Sequence, residues 1–251
     1  MKQFILNTKQ DTEGFYRIRS HYLVRVRRLV AGDIFPALLQ DDTVLSLQVC
    51  SVEDDCLVCE SRGSVPNHRP QDPLPPLVLF QAMPKGAKID LIIRQAVESG
   101  VNEIVPFFSE YSVSKRGADK IERWNRIITE ARQQSGSHID TKVREPVSLA
   151  AALMYWKELA NRYSHKVGLL FHQDMLEPTS FYRCLTPVPH LLAVAVGPEG
   201  GFSPDDLAQF SGAGFTAVAL GNTVLRTETA ALAAITTVRV VLLEIEKNKQ
   251  E

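Results

Sequence analysis

The chain has 251 residues, a formal net charge of -1, and 45% hydrophobic against 23% charged residues. These are the proportions of a globular protein with enough apolar mass for one large domain or two modest ones. They exclude indiscriminate coating of nucleic acid but allow a local cluster of cations to grip a polyanion. Residues 1–13 have no apolar run behind their lysine, so no secretory signal is expected. The longest apolar stretch, residues 229–245, is interrupted by Arg239 and is short for a membrane span, so it reads as a buried helix. Four cysteines without a signal segment read as reduced thiols of a cytoplasmic protein.

In chain order, the first expected element is a helix with Ser20 as N-cap, Leu23, Val26 and Val30 on one face, and Gly32 after its end. Leu45, Leu47 and Val49 alternate with Ser46, Gln48 and Cys50, the period of a half-buried strand. Residues 56–61 form its antiparallel partner, with Glu53, Asp54 and Asp55 in the turn. These short strands predict a small β-barrel. Cys56 and Cys59 form a C-x-x-C, but positions i and i+3 of a strand face opposite ways and no second pair follows, so no metal is expected. Residues 66–76 hold five prolines, which fix φ and remove donors, and read as a linker. The expected division is therefore a module over residues 1–72 and a larger domain over 73–251.

Beyond the linker, strand-like and helix-like runs alternate. Leu77–Ala82 is a buried strand, and Ile89, Ile92, Ile93, Ala96 and Val97 give the spacing of an amphipathic helix closed by Gly100. Residues 104–108 are a strand, and Ile121, Trp124, Ile128 and Ala131 mark a further helix. Residues 167–171, 191–196 and 217–220 are apolar strands separated by helical segments. The alternation predicts an α/β fold with a mainly parallel sheet.

Two loops carry chemistry. Gly197-Pro198-Glu199-Gly200-Gly201-Phe202-Ser203 follows a strand and opens a helix with Ser203 as N-cap and Pro204 at its first position. Its glycines let backbone N–H groups approach a ligand, although a bare strand-to-helix turn would need no ligand. The loop does not follow the first strand of its domain, as a dinucleotide-binding loop should; Met83-Pro84-Lys85-Gly86 stands there instead. No Walker-type phosphate loop is present. The second loop, running from Leu220-Gly221 through Leu225-Arg226-Thr227-Glu228-Thr229-Ala230, again joins a strand to a helix. Glu228 suits the positive end of the helix dipole, whereas Arg226 is not explained by it and is the better functional candidate.

These two motifs, in this order, resemble the SPOUT class of methyltransferases and, more narrowly, the family that methylates N3 of a uridine in small-subunit (16S) ribosomal RNA. Ser20-His21-Tyr22-Leu23 through Gly32-Asp33 resembles that family's N-terminal helix, and the runs after Lys85-Gly86 and Arg123-Trp124 resemble its next motifs. The resemblance implies a PUA-like RNA-binding barrel and a methyltransferase domain whose C-terminal chain forms a trefoil knot. It also implies S-adenosylmethionine as cofactor, a homodimer, no membrane and no metal. By the same resemblance His172, Gly197, Glu199, Gly200, Gly201, Leu220, Gly221, Val224, Leu225 and Thr229 surround the cofactor. The sequence departs from the family at Gln133 and Ser137, where a Glu and an Arg are usual, and at Thr223, where an Arg is usual.

The chemistry assigns Arg226 to catalysis. Attack by a uridine N3 leaves negative charge on the neighbouring carbonyl oxygens, and a planar guanidinium is suited to stabilise it. Glu199 and Glu228 are the candidates for the base. Arg17, Arg19, Arg25, Arg27 and Arg28, with His21, crowd the expected N-terminal helix with almost no acids and are the expected phosphate contacts. Lys115, Arg116, Lys120, Arg123 and Arg126 form a second basic cluster. The alternatives are a sister enzyme on another RNA site, a non-catalytic RNA-binding or ribosome-assembly factor that retains the fold, and a small-molecule nucleotide enzyme.

Overall fold

The computed structural model describes every residue except 1–3, 7, 40–42, 67–72, 113–119, 174–180 and 249–251. The chain divides into two compact units, Met1–Pro70 with Arg132–His138, and Gln71–Ala131 with Ile139–Glu251. Six residues of the proline-rich linker, 67–72, and both Lys115 and Arg116 of the second basic cluster lie outside the described residues.

The first unit is a five-stranded sheet of β1 (Phe4–Ile5), β2 (Tyr16–Arg19), β3 (Ile34–Leu38), β4 (Val44–Glu53) and β5 (Cys56–Val65). The strand order is β1-β3-β4-β5-β2, with β1 parallel to β3 and every other pair antiparallel. Among the described residues β1 and β2 do not pair with each other, so where a small β-barrel was expected the described strands form a half-barrel sheet. The expected hairpin forms, with Glu53 opposite Cys56 and Asp54 at φ 54° in the turn. Phe35, Leu47, Leu57 and Cys59 fill the core without solvent contact. Burial pushes the Cys59 thiol up to about 12, so it packs as a small apolar group.

The expected first helix is a correction. Residues Tyr22–Val26 form a single π-helical turn, closed by Arg27 N–H donating to the Tyr22 carbonyl at 2.8 Å, and Arg28 at φ 53° follows it. An i→i+5 turn does not bring position i+3 back over position i. Leu23 is therefore buried while Val26 and Val30 are 61% and 60% exposed. The N-cap of the turn is His21 rather than the expected Ser20, whose Oγ nevertheless accepts from Leu23 N–H at 3.3 Å.

The second unit is a parallel sheet of β6 (Leu77–Ala82), β7 (Glu103–Phe108), β8 (Lys142–Val143), β9 (Val147–Ser148), β10 (Lys166–Phe171), β11 (Leu191–Val196) and β12 (Phe215–Val218). Its order is β12-β10-β11-β6-β7-β8, with β9 also on β7, and every described pair is parallel. Strands buried on both faces read as continuous apolar runs, and β6 and β11 are buried at all their positions. Six helices are described: α1 (Lys88–Glu98), α2 (Ile121–Ser135), α3 (Leu149–Ala160), α4 (Phe181–Cys184), α5 (Pro204–Gly212) and α6 (Thr227–Asn248). None of the described helices is long and apolar enough to cross a membrane.

Alternation along β6 splits the core. Leu77 and Leu79 join Ile93 of α1, Trp124 of α2 and Ile235 of α6 on one face. Val78 and Phe80 join Trp156 of α3 and Phe210 of α5 on the other. There Phe210 meets the rings of Phe215, Phe202 and Phe107 at centroid distances of 5.1, 5.2 and 5.8 Å. Phe210→Ala removes the ring on which these three converge. It should cost about 3–5 kcal/mol of unfolding free energy in a guanidinium chloride titration, and a loss below about 1 kcal/mol would show that the cluster collapses around the gap.

Candidate functional site

Three neighbouring strands, β12, β10 and β11, end at the same edge of the sheet, and the loops that leave their carboxyl ends meet there. Carboxyl ends of parallel strands are where open α/β sheets bind ligands. The loops enclose a cavity of about 210 Å³. Its walls are Phe171 at the end of β10 with His172 and Gln173 after it, Val196 at the end of β11 with residues 197–202 after it, and Leu220, Gly221, Thr223, Val224 and Leu225 after β12, with Thr227 and Ala230 of α6. No Lys or Arg lines it, and Glu199 is its one acid among the described residues.

Local sequence shapes the loop after β11. Gly201 sits at φ 71° and donates to the Pro198 carbonyl at 3.0 Å, a turn that a side chain would strain. Ser203 and Asp206 close a capping box at the start of α5, each side chain accepting from the other's backbone N–H at 3.1 Å. Thr227, 3% exposed, donates its hydroxyl to the Gly197 carbonyl at 2.6 Å and accepts from Gln81 Nε2 at 3.1 Å. Gln81 is fully buried in β6 and also donates to the Ala82 carbonyl, while its Oε1 has no hydrogen-bond partner among the described residues.

Charge holds the outer side of the same loop. Glu199 accepts from Lys85 N–H at 3.1 Å and pairs with Lys88 Nζ at 2.8 Å. Glu228 Oε2, a buried oxygen, lies 3.5 Å from the same ammonium, an ion-pair distance. Burial raises the Glu199 carboxyl, but the hydrogen bond from Lys88 and the backbone N–H groups outweigh it and hold the carboxyl below its ordinary 4.5. The hydrogen bond to Glu199 raises Lys88 in turn. A carboxylate held low is a poor proton acceptor near neutrality.

The cavity gathers nine of the ten residues expected around a cofactor: His172, Gly197, Glu199, Gly200, Gly201, Leu220, Gly221, Val224 and Leu225. Thr229 is exposed on the first turn of α6 and is not in the lining. Thr227 and Ala230, three residues apart and so on one helical face, occupy that wall instead. The phase of the apolar residues in α6 was the signal for this choice. Leu220 is available because β12 ends at Val218, two residues short of the expected strand. Arg226 precedes α6 and is exposed, with no hydrogen bond or ion pair of its side chain among the described residues. Gln81 and Lys88 were missed, since nothing local separates a glutamine in an apolar strand from a packing defect.

The RNA methyltransferase domain family matches residues 70–239. The chain is 30% identical over 223 residues to a ribosomal RNA small subunit methyltransferase E of Synechocystis sp., an alignment covering 88% of this chain and 71% of that protein. It is 28% identical over 245 residues to the protein of that name in Mesomycoplasma hyopneumoniae, covering 94% and 98% of the two chains. The protein belongs to this methyltransferase family. Its fold is shared with the crystal structure of the Neisseria gonorrhoeae family member bound to S-adenosylmethionine, at TM-score 0.76 and 24% identity, covering 96% of this chain and 98% of that one.

In this member of the family, the five N-terminal arginines are not equivalent. Arg17 pairs with Asp11 at 3.0 Å and Glu13 at 3.7 Å, and Arg25 pairs with Asp55 at 3.0 Å. The acids come from outside the arginine-rich segment, Asp55 from the β4–β5 turn. Arg19, Arg27 and Arg28 have no such partner among the described residues. Of the second cluster, Arg123 is paired with Asp90.

The Glu199 pair predicts a pH signature. Its folded carboxyl lies below 4.5, so it contributes stability that is present above that value and is lost as pH falls through the folded pKa. Glu199→Gln should therefore be less stable than the native chain at neutral pH, and the gap should narrow as urea titrations move below about pH 4. A gap that is unchanged down to acid unfolding would place the effect in packing rather than charge.

Proposed function

We propose that this protein transfers the methyl group of S-adenosylmethionine to N3 of a uridine in small-subunit (16S) ribosomal RNA. The observation that carries the reading is the cavity formed by the two glycine-rich loops at the carboxyl edge of the sheet. Among the described residues no Lys or Arg lines the wall to neutralise nucleotide phosphates. Glycine backbone, Leu220 and Leu225 suit a nucleoside. When bound, the cofactor supplies a methyl group already activated on its sulfonium. Residues 197–201 and 220–225, with His172, would hold it.

The chain then has to align the nucleobase and meet the charge that develops on it. Arg226, exposed and without an ion pair among the described residues, lies one residue before the cavity-lining Thr227 and is placed to set its guanidinium against the uracil carbonyls. Glu199 and Glu228 hold Lys88, and in this reading they fix the loop rather than take the proton.

The first unit, residues 1–72 in this reading, is a PUA-like RNA-binding module, a role supported by its five-stranded sheet and by Arg19, Arg27 and Arg28. Residues 73–251 are the methyltransferase domain with the family's trefoil knot. The reading includes a homodimer in the cytoplasm, and exposed Val240 and Leu243 on α6 support an apolar contact.

Incubation with ribosomal RNA and S-adenosylmethionine, followed by mass mapping of nucleosides, should give 3-methyluridine at one position. Methylation of another nucleoside would mean a sister enzyme, and cofactor binding without transfer an assembly factor. Arg226→Lys should lower kcat with little change in cofactor affinity, because a point charge lacks the planar fork, and a lysine variant with native turnover would remove the role of the guanidinium.

Joint replacement of Arg27 and Arg28 by Ala should reduce the slope of log affinity against log salt for RNA by about 1 to 2. Cofactor affinity should not change. An unaltered slope would move the phosphate contacts off this segment.

A further inference from the structure

We propose that Tyr111 is a stacking platform for an unpaired nucleobase of the RNA substrate at the rim of the cavity. The inference rests on the RNA methyltransferase reading and names how that site receives its substrate. Tyr111 follows β7 and is 45% exposed. A Cβ placed on Gly200 would lie 3.0 Å from Tyr111 Cβ and 3.5 Å from its Cγ, so the aromatic side chain is packed against a glycine of the cavity wall.

The turn beneath the ring is braced. Ser109 and Ser112 are buried, Ser109 N–H donates to Ser112 Oγ at 3.1 Å, and Ser112 N–H donates to the Ser109 carbonyl at 3.1 Å. Their hydroxyls are 3.1 Å apart. Glu110 N–H reaches Asp206 Oδ2 at 3.4 Å, and Asp206 belongs to the capping box that ends the glycine loop. A half-exposed ring is thus fixed to the same loop that lines the cavity. Tyr182 is also exposed, but it lies on a helix of four residues and has no described contact with the lining.

Single-stranded bases are recognised by stacking on aromatic side chains, and removal of one such ring commonly costs tenfold or more in affinity. The two phenyl rings in the lining, Phe171 and Phe202, are buried and cannot offer a free face, and the third ring, the His172 imidazole, is smaller than the Tyr111 phenol. Tyr111 can offer such a face.

Tyr111→Leu keeps apolar contact with Gly200 and removes the ring. It should lower kcat/KM for ribosomal RNA by about tenfold or more, through KM, with unchanged calorimetric affinity for S-adenosylmethionine and unchanged Tm. Tyr111→Phe should recover most of that loss. Native RNA kinetics in the leucine variant would overturn the proposal, and so would a parallel loss of cofactor affinity, which would make the ring a support of the loop. A native protein that binds no cofactor or methylates no RNA would instead reject the function on which the inference rests.

Discussion

Thr227 has one proton to give, and with Gln81 Nε2 already donating to its hydroxyl at 3.1 Å, it gives that proton to the Gly197 carbonyl at 2.6 Å. Three segments far apart in sequence are thereby held by one buried hydroxyl: the end of β6, the glycine loop after β11 and the first turn of α6. Buried polar atoms are costly when unpaired, so this arrangement has few alternatives. The cavity wall at residues 197–201 and the position of Arg226, one residue before Thr227, both follow from it.

Electrostatics divide the molecule's tasks. Among the described residues the cavity lining has one acid and no Lys or Arg, and that acid is already shared with Lys88 outside. Such a wall offers no Lys or Arg with which to grip a polyanion. The first unit has the opposite character, with Arg19, Arg27 and Arg28 unpaired among the described residues. A net charge of -1 conceals this separation, because charges summed over the chain carry no positions.

Much of the second unit was legible. Leu77–Ala82 and Leu191–Val196 are strands with the expected bounds because a strand covered on both faces has no polar position to blur its ends. The start of α5 was equally plain, since Ser203, Pro204 and Asp206 act within one turn of each other. Less legible was the segment after Ser20, where the same apolar residues suit an α-helix or a π turn and only packing around Leu23 chose. Arg17 and Arg25 read as free cations until Asp11, Glu13 and Asp55 were placed beside them.

The sequence by itself determined the alternating α/β order, the two glycine-rich loops and the family they mark, because these depend on periodicity, caps and φ preferences over a few neighbouring residues. Only the tertiary structure decided that Thr227 rather than Thr229 faces the cavity, that Gln81 and Lys88 belong to the site, and which arginines are already paired. Those outcomes depend on contacts between segments up to 146 residues apart, and no local pattern encodes which partner a buried hydroxyl or a surface charge will meet.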